Sequence, residues 1–199
     1  MTGPPPVVEG RAIRGASAVL LPMSDGTSPS QGCDRSGPTA VINQSLVGAV
    51  LEAKKHPAIR QIYGALHGIQ GILDENLINL KREPKSGLEA VAATPSSALG
   101  SVRRKPTAED CAAIFRVLEK YGVRYFFYIG GNDSMDTAHK VAQLAAERGL
   151  ELVSVGVPKT VDNDVGAGLM DDDQFGLIDH TPGYGSVARY WTLIRSVGR

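Results

Sequence analysis

Val123-Arg124-Tyr125-Phe126-Phe127-Tyr128-Ile129, followed at once by Gly130-Gly131-Asn132-Asp133-Ser134, is the stretch on which the reading of the fold turns. Its first seven residues are mostly aromatic or β-branched, as in a buried strand. After the two glycines a helical pattern runs from Ser134 to Arg148. Glycines let a backbone approach an anion closely, and a helix start presents N–H groups to it. Paired glycines also end strands for reasons of turn geometry alone, and Asn132, Asp133 and Ser134 are all residue types that cap helices. A carboxylate facing a phosphate requires a bridging metal; otherwise Asp133 fills space and excludes part of a larger ligand.

Working outward, the next strand is expected over Leu150 to Val157, and a second polar loop follows it: Pro158-Lys159-Thr160-Val161-Asp162-Asn163-Asp164. Lys159 is a point charge suited to a terminal phosphate. Asp162 can take the proton of an attacking hydroxyl, and Asp164 can orient that hydroxyl or a metal. A solvated turn opened by Pro and capped by Asx residues has the same composition. Upstream, Ser17 to Leu21 and Ile59 to Tyr63 read as strands, and Thr39 to Lys55 reads as a helix with Val41, Ile42, Leu46, Val50 and Leu51 at helical spacing. Gly64 to Leu73 and Asn76 to Lys81 are too short to assign, and Ser86 to Pro106 is rich in loop residues. Thr107 is a helix cap with Asp110 three residues on, before a helix over Cys111 to Tyr121; Tyr184 to Val197 forms the last helix. Strand–helix alternation of this kind predicts an α/β fold, a parallel sheet covered by helices, with ligands outside the carboxyl ends of the strands.

Composition excludes several classes. The chain has 199 residues, 42% hydrophobic and 21% charged, enough to bury a core. Lys plus Arg equals Asp plus Glu at 21 each, so no global field points to nucleic acid or an acidic membrane. Cys33 and Cys111 lack metal-ligand spacing and read as two reduced thiols. No apolar run is long enough to span a bilayer and no signal pattern opens the chain, which makes the cytoplasm the expected location. His56, His67, His139 and His180 have no ligand spacing, and Asp171-Asp172-Asp173 reads as a solvated acidic turn.

Six ordered stretches together resemble the phosphofructokinase family, and its pyrophosphate-dependent branch in particular. They are the two loops above with Ser36-Gly37-Pro38-Thr39-Ala40-Val41-Ile42-Asn43, Tyr63-Gly64-Ala65-Leu66-His67-Gly68-Ile69-Gln70-Gly71, Leu99-Gly100-Ser101-Val102-Arg103 and Asp179-His180-Thr181-Pro182-Gly183-Tyr184-Gly185-Ser186. The resemblance runs from about Ala18 to the end. It implies a Rossmann-type parallel sheet flanked by helices: a loose tail over 1–16, a phosphoryl-donor domain over 17–165, and an incomplete sugar-phosphate domain starting in 166–199.

The resemblance also implies roles. Asp162 matches the base for the sugar 1-hydroxyl, Asp164 its supporting carboxylate and Thr160 a sugar-phosphate contact. Gly37, Arg103, Gly131, Asp133, Ser134 and Lys159 fall on the pyrophosphate side, and Asn132 with Asp133 on the Mg²⁺ side. ATP-dependent members usually have Gly where Asp133 and Lys159 stand; here a carboxylate repels the extra nucleotide phosphate and an ammonium replaces its attraction. The implied reaction is reversible phosphoryl transfer from pyrophosphate to fructose 6-phosphate in glycolysis, by a homo-oligomer without nucleic acid or membrane partners.

Three departures accompany the resemblance. Ser36 replaces a usual glycine after a polar insertion from Ser24 to Arg35, Asn132 replaces a usual Asp, and the family chain normally continues well past Arg199. The expectation is a truncated copy. Its alternatives are an ATP-dependent phosphofructokinase and a non-catalytic phosphate-binding fragment. Thr181, Gly183 and Gly185 are expected to shape a substrate loop.

Overall fold

A computed structural model of the chain describes residues 16–22, 40–94, 97–102, 106–161, 163 and 180–197. Five strands form one sheet: β1 (Ala16–Pro22), β2 (Ile59–Ala65), β3 (Leu77–Asn79), β4 (Val123–Gly130) and β5 (Val153–Pro158). Their spatial order is β3-β2-β1-β4-β5. β1 lies parallel to both β2 and β4, β4 is parallel to β5, and only β3 runs antiparallel, against β2. From β1 the chain winds one way to β2 and then crosses back to β4. That reversal leaves a crevice between the carboxyl ends of β1 and β4, the place where open α/β sheets bind ligands.

Among the described residues there are six helices: α1 (Ala40–Lys54), α2 (Ile69–Leu73), α3 (Lys85–Ala93), α4 (Ala108–Lys120), α5 (Asn132–Glu147) and α6 (Tyr184–Val197); α1, α2, α4 and α5 pack on the sheet and α3 packs on α1. The aromatic run of β4 divides between two cores by strand alternation. Phe126 and Tyr128 pack with Ile114 and Phe115 of α4 and Val141 of α5. Tyr125, Phe127 and Ile129 belong to the other face, with Ile42, Leu46 and Val50 of α1. A strand buried on both sides needs this unbroken apolar sequence.

Differences from the sequence reading are local. The region from Ser86 to Pro106 contains α3, formed because Leu88, three residues before Val91, gives one turn an apolar side that settles on α1. The two unassigned stretches form α2, β3 and a 3-10 turn over Leu80–Arg82. α4 starts at Ala108 because Thr107 is its N-cap, with the reciprocal bonds Asp110 N–H to Thr107 Oγ1 (3.1 Å) and Thr107 N–H to Asp110 Oδ2 (3.0 Å). β5 starts later than expected, at Val153, and Leu150 and Leu152 reach the core from the preceding turn. Among the described residues no helix is long and apolar enough to cross a membrane.

Glycines set the loops at the carboxyl end of β2. His67 (φ 59°) and Gly68 (φ 62°) turn the chain, and His67 N–H donates to Leu99 O at 2.7 Å. Gly100 (φ 73°) lies under the His67 ring, so close that a Cβ there would meet Nδ1 at 2.5 Å. Two stretches separate in sequence thus interlock. Gly71 is tighter still: a Cβ would sit 2.0 Å from Leu66 O, a backbone atom that cannot rotate aside. Gly71→Ala is therefore expected to destabilise the fold by about 3 kcal/mol or more, measured by urea unfolding. An unchanged midpoint would contradict the packing described.

An ion pair ties α4 to the β2–β3 connection. Lys120 Nζ lies 2.5 Å from Glu75 Oε2, and Tyr121 OH donates to the same oxygen at 2.9 Å. The hydrogen bond from Lys120, then that from Tyr121, lowers the Glu75 pKa. A lowered carboxyl contributes stability above its unfolded value and loses it as pH falls through its folded one. Glu75→Gln should flatten that part of the acid limb of stability, seen in urea midpoints between about pH 6 and about pH 3.

Candidate phosphate site

The two loops adjoin. Gly130 pairs with Pro158 at the end of the β4–β5 ladder, and Lys159 N–H extends it by donating to Gly130 O at 2.8 Å. Lys159 therefore begins where the glycine turn begins. It is 1% exposed. An ammonium taken out of water costs several kcal/mol unless anionic or carbonyl groups surround it.

α5 starts at Asn132, and Gly131 is its N-cap in extended backbone, without a side-chain cap bond. Asn132, Asp133 and Ser134 thus occupy the first turn, two residues earlier than the helical pattern predicts. Asn132 is exposed and Asp133 half-buried. Ser134 N–H and Met135 N–H both donate to Gly131 O, at 3.0 and 3.1 Å. Ser134 is fully buried, and among the described residues its Oγ has no hydrogen-bond partner. A buried hydroxyl of this kind calls for an explanation: strain, a bound water or ion, or a part in chemistry.

The second loop is stapled to residues leading into α6. Thr160 forms an isolated parallel bridge with Gly183 and donates its N–H to Pro182 O at 3.0 Å. Asn163 (φ 57°) turns its Oδ1 to accept from Thr181 N–H (2.7 Å) and Thr181 Oγ1 (3.2 Å). Thr160 and Thr181 are each 2% exposed. The sequence reading gives Asn163 no role of its own; the signal for one was an Asn in a turn, the residue type that best tolerates left-handed backbone. Thr181 and Gly183 both meet the second loop, Thr181 through Asn163 and Gly183 through Thr160.

Gly131, Asn132, Asp133, Ser134, Lys159 and Thr160 lie around one end of the sheet, whereas Gly37, Arg103, Asp162 and Asp164 are outside the described residues. Among the described residues no three His, Cys, Asp or Glu side chains gather into a metal cage. Asn132 and Asp133 place one amide and one carboxylate on successive positions of the first turn of α5.

Residues 33–170 match the family model described as phosphofructokinase. The chain belongs to the phosphofructokinase family. The pyrophosphate–fructose 6-phosphate 1-phosphotransferase of Rhodospirillum rubrum is 50% identical over 154 residues, 77% of this chain and 36% of the relative. A crystal structure of pyrophosphate-dependent phosphofructokinase from Marinobacter aquaeolei superposes with a TM-score of 0.71 at 37% identity, over 88% of this chain and 38% of that one. An ATP-dependent 6-phosphofructokinase of Borreliella burgdorferi is 34% identical over 111 residues, 53% of this chain and 23% of its own. The chain thus spans little more than a third of the length of its pyrophosphate-dependent relatives.

Ser134→Ala separates folding from binding. Removing an orphaned hydroxyl at a helical position should leave the ligand-free chain as stable or stabilise it by up to about 1 kcal/mol. The same change should weaken pyrophosphate binding in calorimetric titration. Loss of stability would mean that the hydroxyl serves the fold.

Proposed function

We propose that the chain is the phosphoryl-donor side of a pyrophosphate-dependent phosphofructokinase, which transfers a phosphoryl group from pyrophosphate to the 1-hydroxyl of fructose 6-phosphate. The observation that carries the reading is the buried Lys159, whose own amide is bonded to Gly130 at the mouth of the switch-point crevice. A nucleotide donor spreads its charge over three phosphates and brings its own recognition groups. Pyrophosphate is small and densely charged, so one sequestered ammonium beside a helix start is an efficient partner for it.

In this reading Gly131 and Ser134 hold pyrophosphate at the α5 start, with Gly37 and Arg103 completing the donor side. Lys159 neutralises charge on the phosphate that leaves. Asp162 takes the proton of the 1-hydroxyl as that oxygen bonds to the terminal phosphorus and the bridging P–O bond breaks. Asp164 supports Asp162, and Thr160 contacts the sugar phosphate. Asn132 and Asp133 would hold Mg²⁺, which when bound screens charge on the phosphate oxygens. Asp133 also narrows the donor site against a nucleotide. The reaction belongs to cytoplasmic glycolysis and proceeds in a homo-oligomer.

The deciding assay is fructose 1,6-bisphosphate formation with Mg²⁺ and either pyrophosphate or ATP. In an enzyme whose sugar-phosphate domain is complete, turnover with pyrophosphate and not with ATP is expected, falling about 10²–10⁴-fold in Asp162→Ala and about 10²–10³-fold in Lys159→Met. Joint Asp133→Gly and Lys159→Gly replacement should shift preference toward ATP. Turnover with ATP alone by the unmodified chain would overturn the donor assignment.

A further inference from the structure

Ser154 and Gly156 of β5 have no part in the chemistry above, yet both meet α5. Ser154 Oγ donates to Ala138 O at 2.8 Å. A Cβ built on Gly156 would lie 2.7 Å from Met135 Sδ, 3.3 Å from Met135 Cε and 3.7 Å from Ala138 Cβ. The two positions are separated by one residue, so they share a strand face. α5 therefore rests on β5 through a hydroxyl and a bare backbone. Met135 is itself bonded through its N–H to Gly131 O at 3.1 Å. It immediately follows Ser134, whose buried Oγ lacks a partner among the described residues.

We infer that Gly156 is a positioning residue for phosphate binding: lacking a side chain, it gives Met135 a seat on the β5 backbone that fixes the first turn of α5 relative to Lys159. Both ends of this arrangement are anchored to β4, α5 through Gly131 and Lys159 through its bond to Gly130 O. What remains adjustable is how closely the helix start approaches β5, and the Gly156–Met135 contact sets that distance. Charged ligand contacts tolerate displacements of only about 0.5 Å, so the seat governs affinity without touching the ligand. The inference rests on reading Gly131, Ser134 and Lys159 as pyrophosphate ligands.

A single methyl at 156 can be absorbed by rotation of the flexible thioether, whereas a branched side chain cannot. The test compares the full chain as wild type, Gly156→Val, Met135→Ala and the double variant. Pyrophosphate affinity with Mg²⁺ is read by calorimetry, the melting transition by circular dichroism, and amide exchange over residues 132–137 by mass spectrometry. Gly156→Val should weaken pyrophosphate about tenfold and speed exchange in the α5 first turn. The double variant, with thioether volume removed to admit the isopropyl group, should recover most of both. Should Gly156→Val fail to fold, Gly156→Ala combined with Met135→Ile sets up the same conflict with fewer atoms.

Wild-type affinity in Gly156→Val would overturn the proposal, as would a double variant no better than the single. A wild-type chain that binds no pyrophosphate would remove the reading of the site. Exchange over 132–137 would then decide the seat by itself: unchanged rates in Gly156→Val would overturn it too.

Discussion

One backbone hydrogen bond, from Lys159 N–H to Gly130 O, marks where two strands cease to be sheet and become a site. Up to Gly130 and Pro158 the chains are locked in parallel register. One residue later β5 has delivered a buried cation, and β4 has reversed into the start of α5. Neither loop could hold such a position alone, because a short polar loop has little apolar surface to bury. Each borrows rigidity from a strand whose side chains are fixed in a core.

That rigidity comes from β4. Its alternating aromatic residues feed both cores, so the strand cannot slip by one residue without exchanging its two faces. The crevice at its end is placed by topology, and the glycine turn is placed by packing. On the other side of β1, the interlock of His67 with Gly100 performs a similar service, fixing the loop that follows α3 against the end of β2.

How far the sequence discloses this depends on what kind of signal each feature leaves. Strand β4, helices α1, α4 and α6, and the adjacency of the two key loops were legible because buried strands and capped amphipathic helices have periodic signatures. α3 was not, because Lys85–Ala93 contains Gly87 and has only Leu88 and Val91 as large apolar residues, so its helix depends on burial of Leu88 on α1, a tertiary cause. The family motifs were plain, yet they did not say that Asn163 and Thr181 would bond or that Gly156 would lie against Met135. Those contacts join residues distant in sequence through loop and strand geometry that no local pattern encodes. Nor does residue type announce that Ser134 is buried without a partner among the described residues; that follows only from how α5 meets the sheet.

The parallel placement of β1 between β2 and β4 has a consequence for how the chain is made. Ser17 pairs with Val123, about 100 residues away. A chain leaving the ribosome can join β1 to β2 early, but the other edge of β1 stays open until β4 has emerged. During that interval the growing polypeptide presents an unpaired strand edge before its central partner exists. That edge closes only when the aromatic strand arrives.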